Sequence, residues 1–138
     1  MKKLTPVIVV EEIEPCLPFW IERLGFGKSV EVPEGDKLGF VILTNGSVEI
    51  MYQTAFSVAK DLKITTGQKL NASTGPIDPY VDKVTLYIEV EKLDLIMASL
   101  KGVEVLVPER QTFYGAREFG VREPGGTVVV FAEFAKPE

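Results

Sequence analysis

Lys3–Glu11 reads KLTPVIVVE, and Lys83–Glu91 reads KVTLYIEVE. Lys3/Lys83, Thr5/Thr85, Ile8/Ile88, Val10/Val90 and Glu11/Glu91 are identical at an offset of 80, and Leu4/Val84 differ only in shape. The first copy is apolar and β-branched without a helical period, which predicts a strand, and the second repeats it. Two copies fall short of the roughly three that a solenoid needs. They predict one domain of two similar halves, 1–54 and 83–138, joined by 55–82.

Outward from the first copy, Ile13, Leu17, Trp20, Ile21 and Leu24 recur at three- and four-residue steps, so a helix with one apolar face follows the strand. Pro15 suits its first turn. Pro18 lacks an N–H one turn in and predicts an irregular start. Gly25 is placed as the C-cap. Lys28–Val32 alternates as a short strand, Pro33-Glu34-Gly35-Asp36 reads as a turn, and Leu38–Leu43 as the next strand. Asn45-Gly46 is a strong hairpin signal before a strand at Val48–Tyr52. Phe56–Leu62 reads as one or two helical turns. The polar stretch after it, to Pro79, is either a linker or a loop closing over a site.

From the second copy onward the plan repeats. Leu93, Ile96, Met97 and Leu100 mark a helix, with Gly102 placed as Gly25 was. Val103–Val107 is a strand broken at Pro108. Thr112–Val121 contains another, and Thr127–Phe134 is the last. Gly46-Ser47-Val48 against Gly126-Thr127-Val128 keeps the offset of 80. The expected fold class is α+β: two tandem βαβββ modules forming a curved, cup-shaped mixed sheet with helices outside. The helix-free concave face is the natural ligand site.

Composition narrows the chemistry. The net charge is −5, from 15 basic and 20 acidic residues. No basic cluster marks a nucleic-acid partner, no apolar run reaches the roughly 20 residues of a membrane span, and an acidic balance would favour a cationic ligand. One cysteine, Cys16, excludes an internal disulfide framework and fits a reducing, cytoplasmic setting. There is no histidine. Imidazole is therefore unavailable to this chain as metal ligand, general base or nucleophile partner.

The stretch VEEIEPCLPFWIERLGFG resembles the V-x-D-[VL]-x-x-[AS]-[LI]-x-FY-x-x-x-LGF opening of the vicinal oxygen chelate superfamily. That superfamily comprises glyoxalase I, extradiol dioxygenases, fosfomycin-resistance enzymes and bleomycin-resistance proteins. Phe19-Trp20 stands at Phe-Tyr, Leu24-Gly25-Phe26 is the LGF, and Glu12 replaces Asp. FYGAREFGVREPGGTVVVF resembles the closing WG-x-R-x-x-x-x-x-DP-x-G-N-x-[IV]-E-[LF] through Gly115, Arg117, Pro124 and Gly126. The resemblance implies four metal-ligand positions on strands, which here carry Thr5, Ile50, Thr85 and Val130. Two hydroxyls and two aliphatics cannot hold a divalent ion, so no metal and no cofactor is expected. A slip of one residue would bring in Glu49 or Glu89, from the opposite strand face.

The candidate ligand residues are Thr5, Ile50, Tyr52, Thr85, Tyr87, Phe113, Tyr114, Arg117, Glu118 and Val130. Thr5 and Thr85 serve equally as inherited strand residues, and Trp20 as core or dimer packing. Tyr52 and Tyr87 share strand parity with the inferred cup positions. Phe113 and Tyr114 precede a glycine in a loop, where exposed aromatics need a reason. Arg117-Glu118 reads as a surface pair or as an orienting group for a polar ligand. Glu31, Glu49, Glu89 and Glu133 are expected to face solvent, and Cys16 to be buried. The expected function is metal-independent binding of a small molecule, cationic or aromatic, by a homodimer resembling the bleomycin-resistance branch. The alternative is a lyase, isomerase or dioxygenase of the same superfamily with a carboxylate-based site. A third reading is a subunit whose cup is filled by its own side chains.

Overall fold

The computed structural model describes residues 1–61 and 84–136. It divides into two compact units, Met1–Pro76 and Ile77–Glu138. In the first unit, β1 (Val7–Val10) is followed by a 3-10 turn at Glu14–Cys16 and a π-helical turn at Phe19–Arg23. Strands β2 (Gly27–Glu34), β3 (Lys37–Asn45) and β4 (Val48–Thr54) come next, then α1 (Ala55–Asp61). The sheet order is β1-β4-β3-β2, with β1 parallel to β4 and the other pairs antiparallel. The broken first helix follows from Pro18, which caps the π turn and has no N–H to continue an α-helical ladder. The segment ends at Gly25, whose φ of 75° suits glycine.

That segment covers one face of the sheet. Cys16, Phe19 and Trp20 are buried together with Val41 and Leu43 of β3 and Ile50 and Tyr52 of β4. Trp20 meets Phe19 and Phe26 edge-on, at centroid distances of 4.9 and 5.0 Å. Its indole N–H donates to the Tyr52 hydroxyl at 2.8 Å, which satisfies a donor that would otherwise be buried without a partner. Trp20 is thus a core residue of its own unit.

The second unit repeats the plan. Strand β5 (Thr85–Glu89) and α2 (Leu93–Ser99) precede β6 (Val105–Gln111), β7 (Ala116–Arg122) and β8 (Val128–Phe134). Their order is β5-β8-β7-β6, with β5 parallel to β8. The duplicated β-helix-βββ arrangement is therefore present. Both edge strands run further than the prolines suggested. Strand β2 continues through Pro33 to Glu34, and β6 through Pro108 to Gln111, each with register shifts. Edge strands tolerate proline because its missing N–H deprives no neighbour. Of the segment 55–82, the expected helical turns at Phe56 are α1. The question of linker or lid over 62–82 lies outside the described residues.

The halves do not stay aligned to the end. Val7 pairs with Met51, 44 positions on, whereas Tyr87 pairs with Val130, 43 positions on. The last hairpin is longer in the second half, since Asn45 faces Val48 across Gly46-Ser47 while Arg122 faces Val128 across 123–127, so the second half must be shorter before that hairpin by more than the loop adds. The structural counterpart of Val130 is consequently Met51, not Ile50.

Candidate functional site

Each sheet has one face under a helical segment and one face free of it, and strand alternation decides which side chain goes where. In the first unit Ile50 and Tyr52 are 2% and 0% exposed. They belong to the helix-covered face, and the expectation that they line an open cup is corrected. The cause is the register slip, since a shift of one residue transfers a side chain to the other side. Glu49 takes the free face instead. Thr5 Oγ1 donates to Glu49 Oε1 at 2.9 Å, and Lys3 Nζ lies 2.9 Å from the same oxygen. The bonds from Lys3 and then Thr5 hold the Glu49 carboxyl below its usual range.

In the second unit the register aligns Tyr87 with Val130 and Gly120, and Glu89 with Ala132 and Glu118. Thr85, Tyr87, Glu118 and Val130 therefore share the helix-free face. Thr85 and Tyr87 are exposed and Val130 is buried. Glu118, with a side chain 1% exposed, gathers the neighbouring donors. Its Oε1 accepts from Arg110 Nε at 3.1 Å and Nη2 at 2.9 Å. Its Oε2 accepts from the Tyr87 hydroxyl at 2.5 Å and from the Tyr114 hydroxyl. Burial alone would push this carboxyl up. The bonds from Tyr114, Tyr87 and Arg110 outweigh it and leave the group below its usual range. The Tyr87 phenol moves the other way, raised by desolvation and by its bond to the carboxylate.

Aromatic rings surround this knot. Phe113 packs edge-on against Tyr114 at 5.1 Å, and Tyr114 lies 6.2 Å from Phe134. Tyr87 and Tyr114 remain 48% and 47% exposed, and Phe113 fully so. Arg117 is elsewhere. It lies on the helix-covered face, 2.8 Å from Asp94 of α2, 2.6 Å from Glu109 and 3.6 Å from Glu133. Adjacent strand residues point oppositely, so Arg117 and Glu118 do not form a pair, and the reading of Arg117 as a ligand-orienting group is corrected. Glu133 does not simply face solvent either: its carboxylate accepts from the backbone N–H of Leu93 at 2.8 Å. Arg110 was not among the residues singled out from the sequence, and Glu49 entered as a candidate ligand only through a one-residue slip. Ending β6 at Pro108 removed Arg110 from view, although continued pairing would have set it opposite Glu118.

The residues at the expected metal positions do not fit a divalent ion. Thr5 and Thr85 are neutral, Met51 and Val130 supply no hard donor, and the carboxylate of Glu49 is engaged by Lys3. Among the described residues no three His, Cys, Asp or Glu gather into a metal-binding group. Among the same residues no helix is long and apolar enough to cross a membrane.

No protein-family model matches the chain, and no curated protein matches it. Solved structures do. A glyoxalase/bleomycin resistance protein/dioxygenase from Nocardioides is 18% identical with a TM-score of 0.68, over 100% of this chain and 87% of that one. A bleomycin-binding protein from Streptomyces verticillus, solved with copper(II)-bleomycin, is 22% identical with a TM-score of 0.60, over 99% and 98%. A glyoxalase/bleomycin resistance protein/dioxygenase family enzyme from Burkholderia phytofirmans is 16% identical with a TM-score of 0.68, over 95% and 97%. With likeness running the length of the chain, and with its two β-helix-βββ units, the protein has the fold of the vicinal oxygen chelate superfamily.

Proposed function

We propose that the protein binds a small molecule without metal and without transforming it, and that the helix-free face of the second unit carries an aromatic or cationic ligand. The observation behind this reading is the pair of phenols locked by Glu118. Tyr87 and Tyr114 keep about half their surface exposed while their hydroxyls are tied to one buried carboxylate. Rings fixed before a ligand arrives lose little freedom on binding, so less of the contact energy is spent on ordering them. Phe113 extends the apolar surface in a loop where it is fully exposed among the described residues.

The same knot is poorly suited to acid–base catalysis. Glu118 is held ionised with both oxygens engaged, and Tyr87 is held protonated. A carboxylate-based enzyme would need two free carboxylates side by side. Glu133 is on the other face, and among the described residues of the second unit Glu89 shares this face with no acid but the engaged Glu118. The bleomycin-binding neighbour supports small-molecule binding as the broad role. A homodimer is part of the proposal, since the open sheets leave edge strands that a second copy could cover. A reducing, cytoplasmic setting is part of it too, suggested by the single buried Cys16.

Equilibrium binding of flat aromatic amines and amidines, followed by mass analysis of the recovered ligand, tests the reading. Saturable binding, weakened about tenfold or more by Tyr114→Ala, with the ligand returned unchanged, is expected. A chemically altered ligand, or binding indifferent to Tyr87→Ala and Tyr114→Ala, overturns it.

A further inference from the structure

The Arg110–Glu118 pair is lopsided. Glu118 is almost wholly buried, whereas the Arg110 side chain is 59% exposed. A buried carboxylate needs a countercharge, and here it comes from a residue standing largely in water. Arg110 directs both Nε and Nη2 at the one oxygen Oε1. It therefore forgoes the two-oxygen fork that makes arginine–carboxylate pairs strong. The other oxygen is already shared by two phenols. Arg110 also sits where β6 loses regular register with β7, between Val107 and Arg110.

We infer that Arg110 fills the cation subsite of this face, and that a ligand bearing a flat amidinium or guanidinium group binds by displacing Arg110 from Glu118. This rests on the reading that the face takes the ligand. Arg110 is itself 59% exposed, so its guanidinium returns to water with little desolvation to reverse, and the buried carboxylate stays compensated because the incoming cation replaces the charge that leaves. The incoming cation meets the same acceptor and lies beside the rings of Tyr87 and Tyr114, where cation–π attraction adds to the charge pairing. Arg110 is thus a specificity-determining residue: it keeps the carboxylate compensated in the free protein and sets the threshold for cationic ligands.

Benzamidine and its neutral analogue benzamide, titrated by ligand-observed NMR against the full chain, provide the test. Arg110→Ala is expected to raise benzamidine affinity about tenfold while benzamide changes less than about twofold. The double variant Arg110→Ala/Glu118→Gln, which removes both charges and keeps the shape of the side chain at 118, should lose that gain. Arg110→Lys, a point charge without the planar fork, should fall between wild type and Arg110→Ala, and it carries the test if Arg110→Ala does not fold. An unchanged benzamidine-to-benzamide ratio in Arg110→Ala and Arg110→Lys overturns the exchange but leaves the ligand face standing. A gain that survives Glu118→Gln also overturns it. Failure of both probes to bind any variant overturns the exchange and the ligand face together.

Discussion

Glu118 can be followed by pH. Its folded-state carboxyl lies below the ordinary value of 4.5, so its contribution to stability is complete above that value and is lost as pH falls through the folded-state value. Thermal unfolding should move to lower temperature on acidification below about pH 4.5. Glu118→Gln should be less stable at pH 7 and decline less steeply; an identical slope in the two proteins would contradict this. At Tyr52, removing the hydroxyl takes from Trp20 the acceptor of its buried N–H. Tyr52→Phe should cost about 1–3 kcal/mol, read from the urea midpoint at unchanged slope, with fluorescence of the lone Trp20 as signal. Residue identity was partly legible in sequence. Tyr114 stands out beside Gly115, Tyr87 by its strand parity, and Glu118 as a charge inside the closing motif. Neighbours along the chain mislead, however. Arg117 adjoins Glu118 but points away, whereas Arg110, eight positions earlier, bonds it.

Among the elements, α2 starts without a side-chain cap of its own from Lys92, and Glu133 of β8 accepts the Leu93 N–H in its place. Glu133→Ala should cost about 0.5–2 kcal/mol in the range of lost caps, and Glu133→Gln, which keeps an acceptor, should cost less. Chemical denaturation of the two variants gives the ranking. Strand β7 carries a second constraint at Gly120, where an added Cβ would lie 2.9 Å from Val107 Cβ and Cγ2 and 3.3 Å from Val130 Cγ2. Gly120→Ala should destabilise by about 1–3 kcal/mol through overpacking, and it should also perturb Tyr87, which is paired with Val130. Strands and helices were legible from periodicity, and the irregular first helix from Pro18. Strand ends were not, because proline was read as a terminator where an edge strand accommodates it.

For the whole molecule, duplication was the clearest message of the sequence, since a nine-residue echo constrains topology more than any single motif. The absence of a ligand set at Thr5, Thr85 and Val130 leads to an expectation that elemental analysis can check. Protein purified without chelator should carry less than about 0.1 equivalents of Fe, Mn, Ni or Zn per chain, given donors unsuited to such ions. A stoichiometric ion that chelation removes together with ligand binding would refute metal independence. The last hairpin also bears on descent. Gly46-Ser47 and 123–127 differ by three residues, yet Gly46-Ser47-Val48 still superimposes on Gly126-Thr127-Val128 as text. Length differences of opposite sign, a longer hairpin and a shorter course before it in the second half, have uncoupled the alignment column from the spatial position. Consequently, a chimera that grafts only the closing strand of one half into the other at the constant offset of 80 would put Glu49 at the buried position of Val129, and the core residue Ile50 on the opposite face. Such a recombinant needs its crossover placed before this hairpin, with the loop inherited whole.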